Sequence, residues 1–513
     1  MKRCLLSIFI LCSCFIYGQG EANNWFFGEN AGLNFNTGSP VFLNNGQLNT
    51  REGCSSFSDK DGNLLFYSDG TTVWNKNHSI MLNGTNLKGH PSSTQSAMII
   101  PRPDSFNEYY LFTVGSASSD GETGFNYYTI DMNRDGGLGE VVAGPIDLTE
   151  GKSSLWTEKV AAIKGYDCNT YWVVSYVFNE FYAYKINNTG VETAPIISPG
   201  SDTVTDRRGY LKISPDGNKL AIAFMSKYNG NGQQSTAGSF LLYDFNNVTG
   251  EITNKRILPL TAPADRPYGI EFSSNSEKLY VTASNDYYSS NYNDNNNPAN
   301  HFSTLYQFDL SSSITNNIIN SRTVIDSQNL FRGGLQLGPD QKIYRALSQS
   351  YNIGIPFLGV IENPEEDGIA CNYKHREIPL GSNNSTQGLP PFIASIFSQI
   401  EITDGNSTIN LNNTTVKSCE GENYMLQPQN IEGSPTYTWT FNGSIISNIA
   451  KLSLSNLSKL DEGIYYLDVE TIDDCGFKIT YKGEVDIEVY QPPTLTKPSN
   501  ILQCDDDNDG IFD

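Results

Sequence analysis

Positive charge is scarce in this chain. Lys and Arg number 33 against 56 Asp and Glu, a formal net charge of −23. Nucleic acid and anionic lipid need a broad basic face that so acidic a chain does not offer, and any basic site must be local. Histidine is scarcer still: His78, His90, His301 and His375 stand singly, with no i, i+4 pair. No G-x-S-x-G, H-E-x-x-H or glycine-rich phosphate loop occurs, so local motifs assemble no catalytic set. Of nine cysteines, Cys4, Cys12 and Cys14 fall in the first 19 residues. The other six are too few for a disulfide-built scaffold and include no C-x-x-C pair of the kind that holds zinc. Beyond the N-terminus no apolar run reaches the roughly 20 residues that a spanning helix requires, and no stretch carries a convincing amphipathic helical period.

Aromatic residues and turns are plentiful instead. With 29 Tyr, 26 Phe and 45 Gly among 513 residues, the composition favours short strands joined by polar turns. The pattern is clearest in YLKISPDGNKLAIAF, Tyr210 to Phe224. Alternating apolar residues flank Pro215-Asp216-Gly217-Asn218, which supplies the fixed φ, the Asx bond and the positive φ of a hairpin turn. Five further stretches share the layout: Cys54 to Ser68, Ala97 to Val114, Val160 to Tyr176, Tyr268 to Ser284 and Gly334 to Ser348. Their turn positions, Asp61, Asp104, Asp167, Asp216, Asn275 and Asp340, are spaced by 43, 63, 49, 59 and 65 residues. A second hairpin follows each, so every unit reads as one four-stranded blade of a β-propeller. Strand-like pieces in Asn23 to Gly46 lack an inner strand, and Gly388 to Ser398 reads as an inner strand with nothing after it. Joined, they make a seventh blade that closes the ring over residues 22–400 and leaves no sheet edge free. A β-sandwich array with chance likeness between hairpins is the alternative.

At the N-terminus, Met1-Lys2-Arg3 followed by CLLSIFILCSCFIYG reads as an export signal over residues 1–19. Leu11-Cys12-Ser13-Cys14 also resembles a lipoprotein processing site with Cys14 as the lipidated residue. Residues 401–490 read as a β-sandwich similar to an immunoglobulin-like or PKD-like module: Trp439 stands where the core Trp belongs, and Asp461-x-Gly463-x-Tyr465 matches the tyrosine corner. That likeness implies a disulfide, but Leu467 occupies the usual second cysteine position and the candidate partner of Cys419 is Cys475. Residues 491–513 are a Pro-rich linker and the start of an Asp-rich repeat. Asp505, Asp507, Asp509, Ile511 and Asp513 follow the ligand order of a calcium loop whose bidentate twelfth position would lie past Asp513. Asp131 to Gly136 has a similar look, but it falls in a strand-to-strand turn that wants those residue types anyway.

A repeated polar position precedes the inner strands. Arg51, Gln95, Lys159, Arg208, Arg266 and Arg332 lie 8 to 10 residues before the turn positions, and Gln387 leads into the last inner strand. The spacing predicts a mostly basic ring around one mouth of the channel. Such residues either hold an anion bidentately or brace neighbouring blades by pairing with carboxylates and carbonyls. The long Tyr- and Asn-rich loop over 285–300 could add stacking contacts to a carbohydrate, or be a plain connector.

GLQLGPDQKIYRAL (Gly334 to Leu347), NPEEDGIACNY (Asn363 to Tyr373), GLPPFIASIF (Gly388 to Phe397) and NWFFGENAGLNF near the start resemble a group of large exported surface proteins. These carry an N-terminal propeller, immunoglobulin-like or PKD-like modules, CDDDNDG repeats and a C-terminal type IX secretion (type B) sorting domain. The resemblance implies a secreted or cell-surface protein of gliding bacteria, handled by the type IX machinery, with an adhesion or gliding-associated role. It transfers no catalytic residue. The expectation is therefore an all-β extracellular binding protein that takes a glycan or protein ligand, with calcium as the one candidate cofactor and no transmembrane segment. A propeller enzyme acting on acidic polysaccharide and a purely structural stalk are the rivals.

Overall fold

The computed structural model describes residues 20–491 except 106, 117–123, 168, 201–205, 227–236, 399, 401, 405–410, 412–414, 432–433, 473–477 and the side chains of 478–480. The export signal, Cys168, Cys475 and the acidic run with Asp505, Asp507, Asp509, Ile511 and Asp513 lie outside the described residues. The chain is all-β, and it divides into two compact units: the first takes in the chain up to residue 399 together with 431–435 and 470–482, and the second the remainder. Among the described residues no helix is long and apolar enough to cross a membrane.

Among the described residues of the first unit seven antiparallel sheets follow one another along the chain. All six of the repeated stretches form adjacent antiparallel pairs: Ser55–Ser58 with Leu64–Ser68, Ala97–Pro101 with Glu108–Val114, Trp156–Lys164 with Tyr171–Val177, Leu211–Ile213 with Lys219–Phe224, Arg266–Phe272 with Lys278–Ser284, and Leu335–Leu337 with Ile343–Ser348. The turns form for the reasons read from their residues. In the Tyr210 to Phe224 hairpin, Asp216 Oδ1 accepts from Asn218 N at 3.1 Å and Gly217 adopts φ 72°, a left-handed value that glycine tolerates without strain. Among the described residues two short α-helices, Tyr292–Asn295 and Thr315–Asn320, interrupt the strands. The first lies inside the 285–300 loop and is capped by the Asn291 side chain.

The first sheet holds Asn24–Phe27, Ala31–Asn34 and Val41–Leu43 only. The expected inner strand at Gly388 to Ser398 is not a strand. Its residues run as extended chain into a 3-10 turn at Ala394–Phe397. Pro390 and Pro391 have no N–H to donate and cannot sustain a ladder. The two ends of the unit meet a few residues earlier, where Glu29 N donates to Asn384 O at 2.9 Å, Asn384 Nδ2 to Glu29 Oε2 at 2.8 Å and Asn383 Nδ2 to Asn30 O at 2.7 Å.

The 389–398 segment fills the space between the inner strands. Ile393 forms a parallel bridge to Ala162, Lys164 N donates to Ser395 Oγ at 3.2 Å, and Ser398 Oγ donates to Pro215 O at 2.6 Å. Leu389, Phe392, Ile393 and Phe397 are buried. Between this segment and Met98, Val160, Leu211, Glu271 and Gln336 about 10 Å³ remains, room for one water at most. Lys212 crosses the same space, donating to Glu271 Oε2 at 2.7 Å and Gln336 Oε1 at 2.6 Å.

Among the described residues after 400 there is a five-stranded sheet, in which Thr415–Cys419 runs parallel to Lys478–Tyr490, and a three-stranded sheet of Ile402–Thr403, Tyr424–Pro428 and Leu452–Leu454. Trp439, Tyr465, Leu467, Val469, Val485 and Ile487 are buried. Tyr465 Oη donates to Asp461 O at 2.9 Å. Leu467 fills with apolar bulk the position where the likeness would put a cysteine.

Candidate ligand-binding site

The residues that lead into the inner strands are joined by hydrogen bonds, main-chain except at one link, that return to their start. Glu52 N donates to Pro91 O, Gln95 N to Glu158 O, Glu158 N to Arg207 O and Tyr210 N to Tyr268 O, at 2.9 to 3.3 Å. The Thr282 hydroxyl accepts from Gly269 N and donates to Gly333 O. Gly334 N then donates to Gln387 O at 2.6 Å and Gln387 N to Arg51 O at 3.0 Å. Close approach requires glycine here: a Cβ on Gly388 would collide with the Glu52 carbonyl.

This circuit brings most of the predicted polar residues together, in two different settings. Gln95, Lys159, Arg332 and Gln387 are buried. Gln95 acts as a surrogate peptide, its Oε1 accepting from Leu211 N at 2.9 Å and its Nε2 donating to Leu211 O at 3.1 Å. Lys159 Nζ donates to the carbonyls of Arg207 and Arg208 at 2.9 and 2.8 Å, and its ammonium lies 4.7 Å from the centre of the Phe224 ring. Arg332 donates from Nη1 to Glu52 Oε1 at 2.8 Å and to Gln387 Oε1 at 3.0 Å, and from Nε to Asp286 Oδ1 at 3.0 Å. Four of the seven positions thus sit beneath the surface.

Arg51, Arg208 and Arg266 keep 40, 32 and 26 % of their side-chain surface in water. Arg51 pairs with Glu29 at 3.1 Å and donates to Asn352 O at 2.8 Å. Arg208 holds Asp206 bidentately, at 2.9 and 2.6 Å. Arg208 and Arg266 both face Asp286 Oδ2, at 3.4 and 3.7 Å.

The carboxylates were missed as site residues, although the chain carries a signal for most of them. Glu52 adjoins Arg51, Glu158 adjoins Lys159, and Asp206 lies two residues before Arg208. Asp286 has no such marker. Burial pushes the Glu52 carboxyl up to about 7 against the pull of Arg332. Burial likewise pushes Lys159 down to about 7, opposed by Asp206 and Glu158. Burial raises Asp206, but the hydrogen bonds and charge of Arg208 outweigh it and hold the carboxyl below its ordinary value.

The sign of the Glu52 effect follows from its raised value. Between about pH 4.5 and 7 the folded carboxyl keeps a proton that the unfolded chain has released, so its contribution to stability falls as pH rises through that window. Glu52→Gln should flatten the decline, measured as denaturant midpoints from pH 4.5 to 7.5. A parallel pH profile for parent and variant would show that Glu52 does not titrate there.

Neither a family model nor a curated protein matches the chain. Among solved structures, a protein provisionally assigned as a 6-phosphogluconolactonase from Bacteroides uniformis is 11 % identical over 70 % of this chain and 98 % of its own, at a TM-score of 0.40. The extracellular domain of a provisionally assigned hybrid two-component system from B. thetaiotaomicron is 12 % identical over 91 % of this chain and 56 % of its own, at 0.36. Hydrazine synthase of Kuenenia stuttgartiensis is 11 % identical over 75 % of this chain and 90 % of its own, at 0.34. These likenesses are too slight to bear on fold or activity, and the architecture rests on the strands and hydrogen bonds of the chain itself.

Proposed function

We propose that this chain is an extracellular, cell-surface binding protein. Its first unit is read as a seven-bladed β-propeller over residues 22–400 and its second as an immunoglobulin- or PKD-like sandwich over 401–490. Seven successive sheets and the hydrogen-bond circuit from Arg51 back to Gln387 support the first reading. The parallel pairing of Thr415–Cys419 with Lys478–Tyr490, the buried Trp439 and the Tyr465-to-Asp461 bond support the second. Export by the type IX route and a calcium site at Asp505 to Asp513 belong to the same proposal and rest on the sequence.

The observation that carries the binding role is the convergence of Arg208 and Arg266, both reaching water, over a buried layer of Arg332, Glu52, Lys159 and Gln387 in which Arg332 bonds to Glu52 and Gln387 and Lys159 to two carbonyls. Arg332 and Gln387 hold the frame, so the outer guanidinium groups are pre-positioned for a bidentate anion. Uronic-acid or sulfated glycans, or an acidic peptide, are the ligands this chemistry recognises. Arg208→Ala with Arg266→Ala should abolish retention of acidic glycans on an array while leaving the melting transition within a few degrees of the parent. Retention should also weaken with salt, because exposed charges are screened beyond about 8 Å at physiological ionic strength. Equal retention of neutral glycans, or undiminished binding by the double variant, would refute the site. Release of shortened products from a retained polysaccharide would favour the enzyme instead.

A further inference from the structure

Among the described residues, Asp286 forms ion pairs with three arginines at once. Its Oδ1 accepts from Arg332 Nε at 3.0 Å, and its Oδ2 lies 3.4 Å from Arg208 Nη2 and 3.7 Å from Arg266 Nη1. The arginines lead into three successive sheets, whereas Asp286 follows the strand Lys278–Ser284 and belongs to the connecting loop. Two of the arginines have a further carboxylate: Asp206 on Arg208 and Glu52 on Arg332. Asp286 is thus the carboxylate that all three guanidinium groups share.

We propose that the position filled by Asp286 is a carboxylate-binding site, and that Asp286 is a built-in competitor which a ligand carboxylate displaces. This rests on the binding role proposed above and names the group recognised: a single carboxylate, as on a uronic acid, spanning Arg208 and Arg266 with one oxygen and reaching Arg332 with the other. One unit of charge and two oxygens in a plane are what Asp286 itself presents. The loop need not open. Asn285 N donates to Phe302 O at 3.0 Å, Phe302 N to Asn285 Oδ1 at 3.1 Å and Asn285 Nδ2 to Asn300 O at 2.8 Å. These bonds fix the loop's base, and exchange needs only the Asp286 side chain to turn away. Arg208 and Arg266, partly in water, give the incoming group its path.

The experiment compares the parent with Asp286→Asn, which removes the charge and keeps the shape, and Asp286→Ala, which empties the position. Calorimetric titration with D-glucuronate at fixed ionic strength should show each variant binding at least about tenfold tighter than the parent, the scale of one charge-assisted hydrogen bond no longer contested. Acetate should raise the melting midpoint of Asp286→Ala saturably, with chloride at equal concentration doing less. Adding Arg266→Ala to Asp286→Asn should remove the gain. If Asp286→Ala does not fold, Asp286→Asn carries the titration alone. Glucuronate binding no tighter in Asp286→Asn than in the parent overturns the proposal. A gain in Asp286→Asn with no acidic glycan retained by the parent would support the carboxylate site and sink the glycan-binding role. Retention by the parent through Arg208 and Arg266, with no gain in Asp286→Asn, would keep that role and sink the competitor.

Discussion

Deleting residues 23–45 should unfold the whole first unit in one transition, not loosen a single sheet. The segment's buried rings are shared with neighbours on both sides. Trp25 lies 5.3 Å from Tyr344 and 5.9 Å from Phe392 between ring centres, while Phe26 stacks on Tyr67 at 4.4 Å. Tyr344 belongs to the last sheet of the unit, Tyr67 to the second, and Phe392 to the segment that fills the space between the inner strands. Losing Trp25, Phe26, Phe27, Leu33 and Phe35 removes five buried apolar side chains. At about 3–5 kcal/mol for each large aromatic truncated, the loss exceeds the roughly 5–15 kcal/mol by which a domain is stable. Glu29 and Asn30 go as well, leaving Asn383 and Asn384 without the partners that tie the end of the unit to its beginning. Thermal unfolding followed by near-ultraviolet circular dichroism checks this. A truncated protein that melts where the parent does would show that the ends do not close the unit.

How far the residues disclose this arrangement depends on whether the cause is local. Hairpins such as Tyr210 to Phe224 were legible because alternation and a Pro-Asp-Gly-Asn turn act within fifteen residues, and the paired strands formed where the pattern put them. The 388–398 segment departs from the inner strand that its sequence suggests: GLPPFIASIF is apolar enough for one, and Leu389, Phe392, Ile393 and Phe397 are buried. Pro390 and Pro391, present in the same stretch, already argue against ladder pairing, and the chain buries the side chains without it. The basic positions were legible as a repeat, but their partners were not. Glu52, Glu158 and Asp206 carry a weak signal in lying within two residues of Arg51, Lys159 and Arg208. Asp286 carries none, because it meets Arg208, Arg266 and Arg332 only through the path of the loop that contains it.

The two settings of the arginines yield the sharpest difference between single substitutions. Arg332→Ala should lower the stability of the first unit by about 3–5 kcal/mol, the scale of removing one partner from a buried ion pair; Glu52, already raised to about 7, can take up a proton in response, but its bond is lost all the same. Glu52 would lose its 2.8 Å bond, Asp286 its 3.0 Å bond and Gln387 its 3.0 Å bond in one step, and all four side chains lie at the junction where the last strand leader meets the first. The ring of Tyr268, 5.2 Å from the guanidinium carbon, would lose its cation as well. Arg332 is also held at φ 50°, which costs a residue with a Cβ about 1 kcal/mol or more, so the guanidinium contacts outweigh a backbone preference that opposes them. Arg332→Lys should recover little, since an ammonium cannot reach Glu52, Gln387 and Asp286 in the directions that the planar fork does. By contrast Arg208→Ala, losing a side chain that is one-third exposed, lets the buried Asp206 take up a proton and leaves Asp286 paired with Arg266 and Arg332, so it should cost less stability than Arg332→Ala and act mainly on ligand retention. Denaturant midpoints for the three variants at pH 7 decide the matter: if Arg332→Ala is as stable as Arg208→Ala, the buried layer is not the frame on which the outer arginines stand.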